Sequence, residues 1–329
     1  MKRAKYSGAV LKNYLRDDHL SPEVKFFLNG LSAGGCGVEC LPFKDARQVL
    51  VNAQTLSKVD YSGISESERY IKSEGCCVKI TIVRPKEIAG LLPVFVFIHG
   101  GGWVLGGYRA HRRLVRDIVV HSGTVGVFVN YSPTLDSTYP QAISEIYAVT
   151  KWISENGTEI EVDGKRLAIV GNSVGGNMTA VTCLMAKELK GPAIKTAVMM
   201  WPIVDADFTT EAYKRFGYDR FLATPLMSWM YEMYISDIYK RKEIFAFPLR
   251  ASVEQLQGLP PTLIQVAEND VLRDEGEAYG RKLLEAGVKA TTVRYNGVIH
   301  DFGLMNDLAE TSQTVDLILH ASAQLTKYF

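Results

Sequence analysis

The stretch RLAIVGNSVGGNM at 166–178 holds one hydroxyl in a setting built for chemistry. Leu167 to Val170 is a short apolar run suited to a buried strand, and MTAVTCLMAKEL from Met178 has the length and composition of a buried helix. Between them Gly171-Asn172-Ser173-Val174-Gly175 matches G-x-S-x-G. In that pattern a serine rides a sharp strand-to-helix turn, and the glycines avoid collision with nearby backbone. The turn lifts the hydroxyl to the carboxyl edge of a sheet, facing the positive end of the next helix. So short a pattern arises by chance on the order of one time in ten in a chain of this size, and Gly30-Leu31-Ser32-Ala33-Gly34 also fits it. That copy follows PEVKFFLNG, which reads as a helix capped by Gly30 or Gly34. Ser32 is therefore read as structural and Ser173 as the nucleophile.

A serine hydroxyl near pH 7 needs a base within hydrogen-bond reach and a group that orients the base. On a strand-turn-helix scaffold of this kind the order along the chain is Ser, acid, His. Only His300 and His320 follow Ser173. His320 lies within the helical pattern DLILHASAQL, whereas His300 hangs in the loop NGVIHDFG after a strand, so His300 is the expected base. Asp270 ends the strand TLIQVAEND, the edge at which α/β folds place working groups. Glu268 alternates with its neighbours along that strand, Asp274 and Glu275 suit the first turn of the next helix, and Asp301 is poorly placed to reach the ring of its own neighbour. Asp270 is the expected acid.

His99-Gly100-Gly101-Gly102-Trp103 follows an apolar strand, and its glycines leave backbone N–H groups unshielded. Two such donors, with the N–H of the residue after the nucleophile, can hold a developing oxyanion. A phosphate loop is the competing reading, but no lysine follows and no G-x-G-x-x-G runs into a helix. His99 precedes the serine and reads as a structural hydrogen-bonder.

The elements that must position these groups follow from pattern. Hairpin-like strands, ERYIKSEG and CVKITIVRP, precede the continuous apolar run PVFVFI, which suits a strand covered on both faces. Further strands are expected at VGVFVNY, RLAIVG, TAVMMWP, TLIQVAEND and ATTVRYNG, with helices near 109–122, 141–155, 174–190, 274–287 and 308–327. This alternation implies an α/β fold with a mostly parallel central sheet flanked by helices on both faces. Residues 1–60 read as a helical cap segment, in which Ser21 caps a helix opened by Pro22, and 61–329 as the main domain. An aromatic and methionine-rich insertion near 205–255 interrupts the alternation, with Thr224 as a cap before Pro225 and a stripe of Leu226, Trp229, Met230, Met233 and Tyr234. The stripe either roofs a pocket or packs into its own small core. Trp103, Trp229, Met230, Met233 and Phe302 are the candidate substrate-contacting side chains.

The chain has 329 residues, 47% of them hydrophobic, with 37 basic against 36 acidic side chains, so no global field favours nucleic acid or an anionic membrane. No apolar run approaches the roughly 20 residues that span a bilayer, and the N-terminal stretch has no apolar signal core. Five scattered cysteines, Cys36, Cys40, Cys76, Cys77 and Cys183, fit neither a disulfide framework nor a metal site. The expectation is a cytoplasmic protein whose cysteines hold no metal.

HGGGW at 99–103, GNSVGGN at 171–177, ENDVLRDEG at 268–276 and H-x-F at 300–302 together resemble the hormone-sensitive-lipase-like carboxylesterases of the α/β-hydrolase superfamily. The resemblance spans nearly the whole chain, including the helical N-terminal cap. It implies an α/β-hydrolase fold with a helical cap, and hydrolysis of short-chain, fairly apolar esters through an acyl-enzyme. It also implies a Ser173, Asp270 and His300 triad, oxyanion donors at Gly101, Gly102 and Val174, no metal or cofactor, and a monomer or homodimer. An amidase, lactonase or acyltransferase uses the same triad, and the gibberellin receptors of plants are a non-catalytic precedent that lacks the base. The chain departs from the family in carrying Asn172 where an aspartate is usual, and Tyr131-Ser132-Pro133-Thr134-Leu135-Asp136 where Tyr-Arg-Leu-Ala-Pro-Glu is usual.

Overall fold

The computed structural model describes residues 13–31, 37–134 and 136–329. Eight strands form one sheet: β1 Ile64–Ser73, β2 Cys76–Pro85, β3 Leu92–Ile98, β4 Val125–Asn130, β5 Val162–Asn172, β6 Ile194–Met200, β7 Thr262–Asn269 and β8 Ala290–Ile299. Their spatial order is β1-β2-β4-β3-β5-β6-β7-β8. β1 and β2 form a hairpin through Glu74 and Gly75, both at positive φ (48° and 75°), as a two-residue turn of matching twist requires. β2 also runs antiparallel to β4, and every pairing from β4 through β8 is parallel.

Period-two burial sorts the side chains of β3 onto two cores. Val94, Val96 and Ile98 face one layer with α4 (Gln141–Asn156), α5 (Val174–Glu188) and α9 (Arg273–Glu285). Phe95 and Phe97 face the other with α3 (Tyr108–Ser122) and α10 (Ser312–Tyr328). Both faces are dry, which explains why PVFVFI in β3 reads as an unbroken apolar run.

Three helices precede or interrupt this pattern at the carboxyl edge of the sheet: α1 (Pro22–Leu31) and α2 (Phe43–Ala53) near the start, and α7 (Thr224–Tyr234) between β6 and β7. In that same interval lie the short helices α6 (Glu211–Phe216) and α8 (Val253–Leu256). Ser21 Oγ accepts from Val24 N at 3.3 Å and caps α1. Thr224 does not cap α7: it is the first helical residue, Ala223 takes the cap position, and no side chain completes it. The last helix starts at Ser312, capped by Thr311, because a separate turn at Asn306–Leu308 ends before it. The second G-x-S-x-G copy, including Ser32 and Gly34, and Cys36 lie outside the described residues. Among the described residues no helix is long and apolar enough to cross a membrane.

Candidate active site

At the end of β5 the chain turns into α5 through Ser173, whose φ of 55° and ψ of −120° are unfavourable for any side-chain-bearing residue. Such a conformation costs of order 1–3 kcal/mol and persists only when its surroundings enforce it. Here Ser173 N donates to Met200 O at 2.9 Å, and Ser173 O accepts from Asn177 N at 3.1 Å and Ile203 N at 3.2 Å. The glycines are steric necessities: a Cβ on Gly171 would stand 2.3 Å from Gly175 O, and one on Gly175 1.9 Å from Ile98 O.

His300 follows β8 and brings Nε2 to 3.2 Å from Ser173 Oγ. Its Nδ1 lies 2.8 Å from Oδ2 of Asp270, the residue just past β7. A carboxylate facing Nδ1 favours the tautomer with its proton there, which leaves Nε2 to accept from the serine hydroxyl. All three side chains are buried, at 4%, 3% and 2% exposure for Ser173, His300 and Asp270. Burial disfavours the imidazolium, but the carboxylates of Asp270 and Asp301 outweigh it and raise the His300 pKa above the ordinary histidine value.

The glycine loop follows β3. Val104 N and Leu105 N close onto Gly101 O at 3.2 and 2.8 Å, folding Gly101 and Gly102 into positive φ of 113° and 63°. The amides of Gly101 and Gly102 take no acceptor among the described residues. Val174 opens α5, so its N–H lacks an intrahelical partner as well. His99 braces the loop from beneath, with Nδ1 facing Gly100 O at 2.8 Å and the ring stacked 4.1 Å from Tyr131. Burial pulls its pKa down to about 4, so it is neutral near pH 7.

Asn172 joins this loop to the serine turn, accepting from Gly100 N through Oδ1 at 2.9 Å. Its Nδ2 faces Asp301 Oδ1 at 3.4 Å, and that oxygen accepts from Trp201 Nε1 at 2.8 Å. Asp301 thus bonds elsewhere than the imidazole, although its carboxylate stands 3.9 Å from His300 Nε2. The other acids expected to be structural accept backbone N–H groups: Glu268 from Gly297, Asp274 from Ala212 and Glu275 from Val204. His320 pairs with Tyr295 OH on the last helix, away from the site.

Ser173, His300, Asp301, Gly101 and Gly102 line a cavity of about 120 Å³. Its walls are apolar. Leu31, Val38, Val49, Leu50 and Ala53 come from the N-terminal segment, and Phe221, Leu222, Leu226, Met227 and Met230 from the segment around α7.

Of the five expected substrate contacts, only Met230 lines this cavity. Trp103, at φ 61°, folds back beneath α7 and stacks 4.1 Å from Tyr234. Phe302 is fully buried against Trp201 and Tyr295. Trp229 stacks on Phe43 of α2 at 5.9 Å, and Met233 joins the same small core between α2 and α7. The stripe on α7 therefore does both things expected of it: part of it roofs the cavity, and part packs the cap on itself. Met227 and Ile203 also reach the cavity and carried no sequence signal.

The sequence model of a family described by its alpha/beta hydrolase fold matches residues 95–304. The solved structure of a thermostable esterase from Pseudomonas putida ECU1011 superposes with a TM-score of 0.93 at 50% identity, covering 95% of this chain and 98% of that one. A protein of Acanthamoeba polyphaga mimivirus, named as an alpha/beta hydrolase, is 34% identical over 311 residues, 94% of this chain and 89% of its own length. The carboxylesterase NlhH of Mycobacterium tuberculosis is 30% identical over 241 residues, 71% of this chain and 74% of its own length.

Proposed function

Because this chain belongs to the α/β-hydrolase fold family, in the group that includes hormone-sensitive-lipase-like esterases, and is itself an esterase, we propose that it is a serine carboxylesterase whose triad is Ser173, His300 and Asp270. The observation that carries the reading is the continuous hydrogen-bonded chain from Ser173 Oγ through His300 to Asp270. His300 Nε2 takes the hydroxyl proton as Oγ attacks the ester carbonyl, and Asp270 holds the resulting imidazolium. The N–H groups of Gly101, Gly102 and Val174 receive the negative oxygen of the tetrahedral intermediate, and losing one such donor typically costs about 3–4 kcal/mol of transition-state stabilisation. His300 returns the proton to the departing alkoxide, leaving the acyl group on Ser173. A water then attacks that acyl group, His300 takes its proton, and the acid leaves as Oγ recovers the proton.

The cavity supports short-chain, fairly apolar esters. Its roughly 120 Å³ is of the order of the 150 Å³ apolar cavity that accepts a benzene molecule. An acyl group of a few carbons fits that volume, and the walls supplied by the N-terminal segment and the segment around α7 are apolar. The free thiols of Cys76, Cys77 and Cys183 support a reducing, cytoplasmic setting. The test is hydrolysis of p-nitrophenyl esters of increasing acyl length by wild type and Ser173→Ala. We expect a short-chain optimum and a loss of at least about 10⁴-fold in kcat for the variant. Turnover retained by Ser173→Ala, or no turnover by wild type at any chain length, would refute the assignment.

A further inference from the structure

Asn172 and Asp301 take no part in the triad, yet they meet beside it. Asn172 is completely buried between β5 and the nucleophile. With its Oδ1 committed to Gly100 N, the amide can present only its NH₂ to Asp301. The amide packs closely on Gly100, where a Cβ would stand 2.6 Å from Asn172 Nδ2. Asp301 is 6% exposed, anchored by Trp201 Nε1, and 3.9 Å from His300 Nε2. Around the imidazole, Asp270 faces Nδ1, Ser173 Oγ faces Nε2, Asp301 stands beside Nε2, and the Trp201 ring lies 6.3 Å away. Asp270 and Asp301 are the charged groups of that shell.

We propose that Asp301 is a second positioning carboxylate for His300, and that Asn172 is the neutral amide that lets it stand there. The proposal rests on the Ser173–His300 reading above. A carboxylate at 172 would keep the bond from Gly100 N, but it would set an anionic oxygen where Nδ2 now sits, 3.4 Å from Asp301. Two carboxylates so close in a dry site do not both ionise. The amide removes that conflict and donates to Asp301 instead. Asp301 then acts when it matters: as the proton leaves Ser173, positive charge develops on an imidazole already flanked by two carboxylates, and attraction at about 4 Å is strong where water is excluded. Burial, with the charge of Asp270 adding to it, raises the Asp301 carboxyl above its ordinary value; the imidazole and the two N–H donors on Oδ1, from Trp201 and Asn172, favour its ionised form.

The test compares pH profiles of kcat and kcat/KM on a p-nitrophenyl ester for wild type, Asp301→Asn, Asn172→Asp and the double variant, with melting temperatures alongside. Asp301→Asn keeps an acceptor for Trp201 and removes the charge. Its acidic limb moves to lower pH, so the ratio of kcat/KM at pH 6 to that at pH 8 rises about threefold or more, while kcat falls by about tenfold and KM changes little. Asn172→Asp loses more activity than Asp301→Asn, and the double variant, with one charge and one amide again face to face, returns to the Asp301→Asn level. An unmoved profile in Asp301→Asn, or an Asn172→Asp enzyme with wild-type activity and profile, would overturn the proposal. If Asn172→Asp does not fold, Asp301→Asn and the double variant still decide. Covalent labelling of Ser173 by a fluorophosphonate separates the two levels. A labelled wild type with an unmoved Asp301→Asn profile sinks this proposal alone, and an unlabelled wild type sinks the triad beneath it.

Discussion

Gly175→Ala perturbs the serine turn through a single methyl group. The added Cβ would lie 1.9 Å from Ile98 O, 2.7 Å from Ile98 C and 3.0 Å from His99 C. All three atoms are backbone, so no rotamer change relieves the clash. A carbon-to-oxygen contact of about 3.2 Å requires the start of α5 and the end of β3 to separate by roughly 1 Å. β3 leads into Gly100–Gly102 and α5 begins at Val174, so the displacement falls between the proposed oxyanion donors and Ser173. Misplacement of about 1 Å typically costs a hundredfold in rate, and overpacking costs about 1–3 kcal/mol in stability.

The control is Gly258→Ala. Gly258 has φ +75° and nothing within 4 Å of its would-be Cβ, so the variant carries backbone strain without a clash. That strain costs about 1–2 kcal/mol and leaves kcat unchanged. Steady-state hydrolysis of p-nitrophenyl acetate together with thermal unfolding separates the two effects. A Gly175→Ala enzyme within about twofold of wild type in kcat would refute the claim that this contact sets the distance between donors and nucleophile.

On the proposed mechanism His300 must be neutral to take the serine proton, and its pKa is raised, so kcat/KM falls with decreasing pH from a higher value than an ordinary histidine would give; a pH–rate profile measures the limb. The same upward shift means that His300 adds stability below its unfolded pKa and that this contribution is lost as pH rises through the folded value, which unfolding midpoints across neutral pH report. Met230→Ala enlarges the cavity from its roof and moves the acyl optimum to longer chains, each accommodated methylene improving kcat/KM by about fourfold, from roughly 0.8 kcal/mol per CH₂; an unchanged chain-length profile counts against Met230 as a wall. Phe302→Ala costs about 3–5 kcal/mol of stability through an internal cavity and leaves the acyl-length preference in place, because the ring packs on Trp201 and Tyr295 and not on the pocket.

What the sequence conveyed was local or directional. The turn at Ser173 was legible because a tight turn dictates glycines at fixed offsets, and both glycines do abut backbone. His300 and Asp270 followed from chain order and from the ends of β8 and β7, and parallel pairing of those strands brings their carboxyl ends side by side. The alternation of strands and helices was legible because the two dry faces of the sheet permit little but apolar residues. The cavity was not legible in the same way. Its walls come from residues near 31–53, 101–105 and 203–230, which no periodicity connects. Large aromatic side chains suggested pocket contacts, but their size suits them to filling gaps between elements, as Trp103 does against Tyr234 and Trp229 against Phe43.

The hydrogen bonds of α2 explain why a segment so far from the proposed triad in sequence belongs to the candidate site. Gln54, 5% exposed at the end of α2, donates to Leu304 O at 2.8 Å and to Ala110 O at 2.7 Å, and accepts from Asn306 N at 2.9 Å. Arg113 on α3 donates to Asn306 Oδ1 and to Gly303 O of the same loop. The loop that carries His300 is thus clamped by polar groups that are costly to leave unpaired in a dry interior. Arg47 on α2 in turn donates to Val104 O, behind the glycine loop. One helix therefore supplies apolar wall through Val49 and Leu50 and fixes both the base-bearing loop and the proposed donor loop. The shape of the cavity and the placement of His300 are set by the same packing, so on the proposed mechanism a change that loosens α2 alters chain-length preference and kcat together.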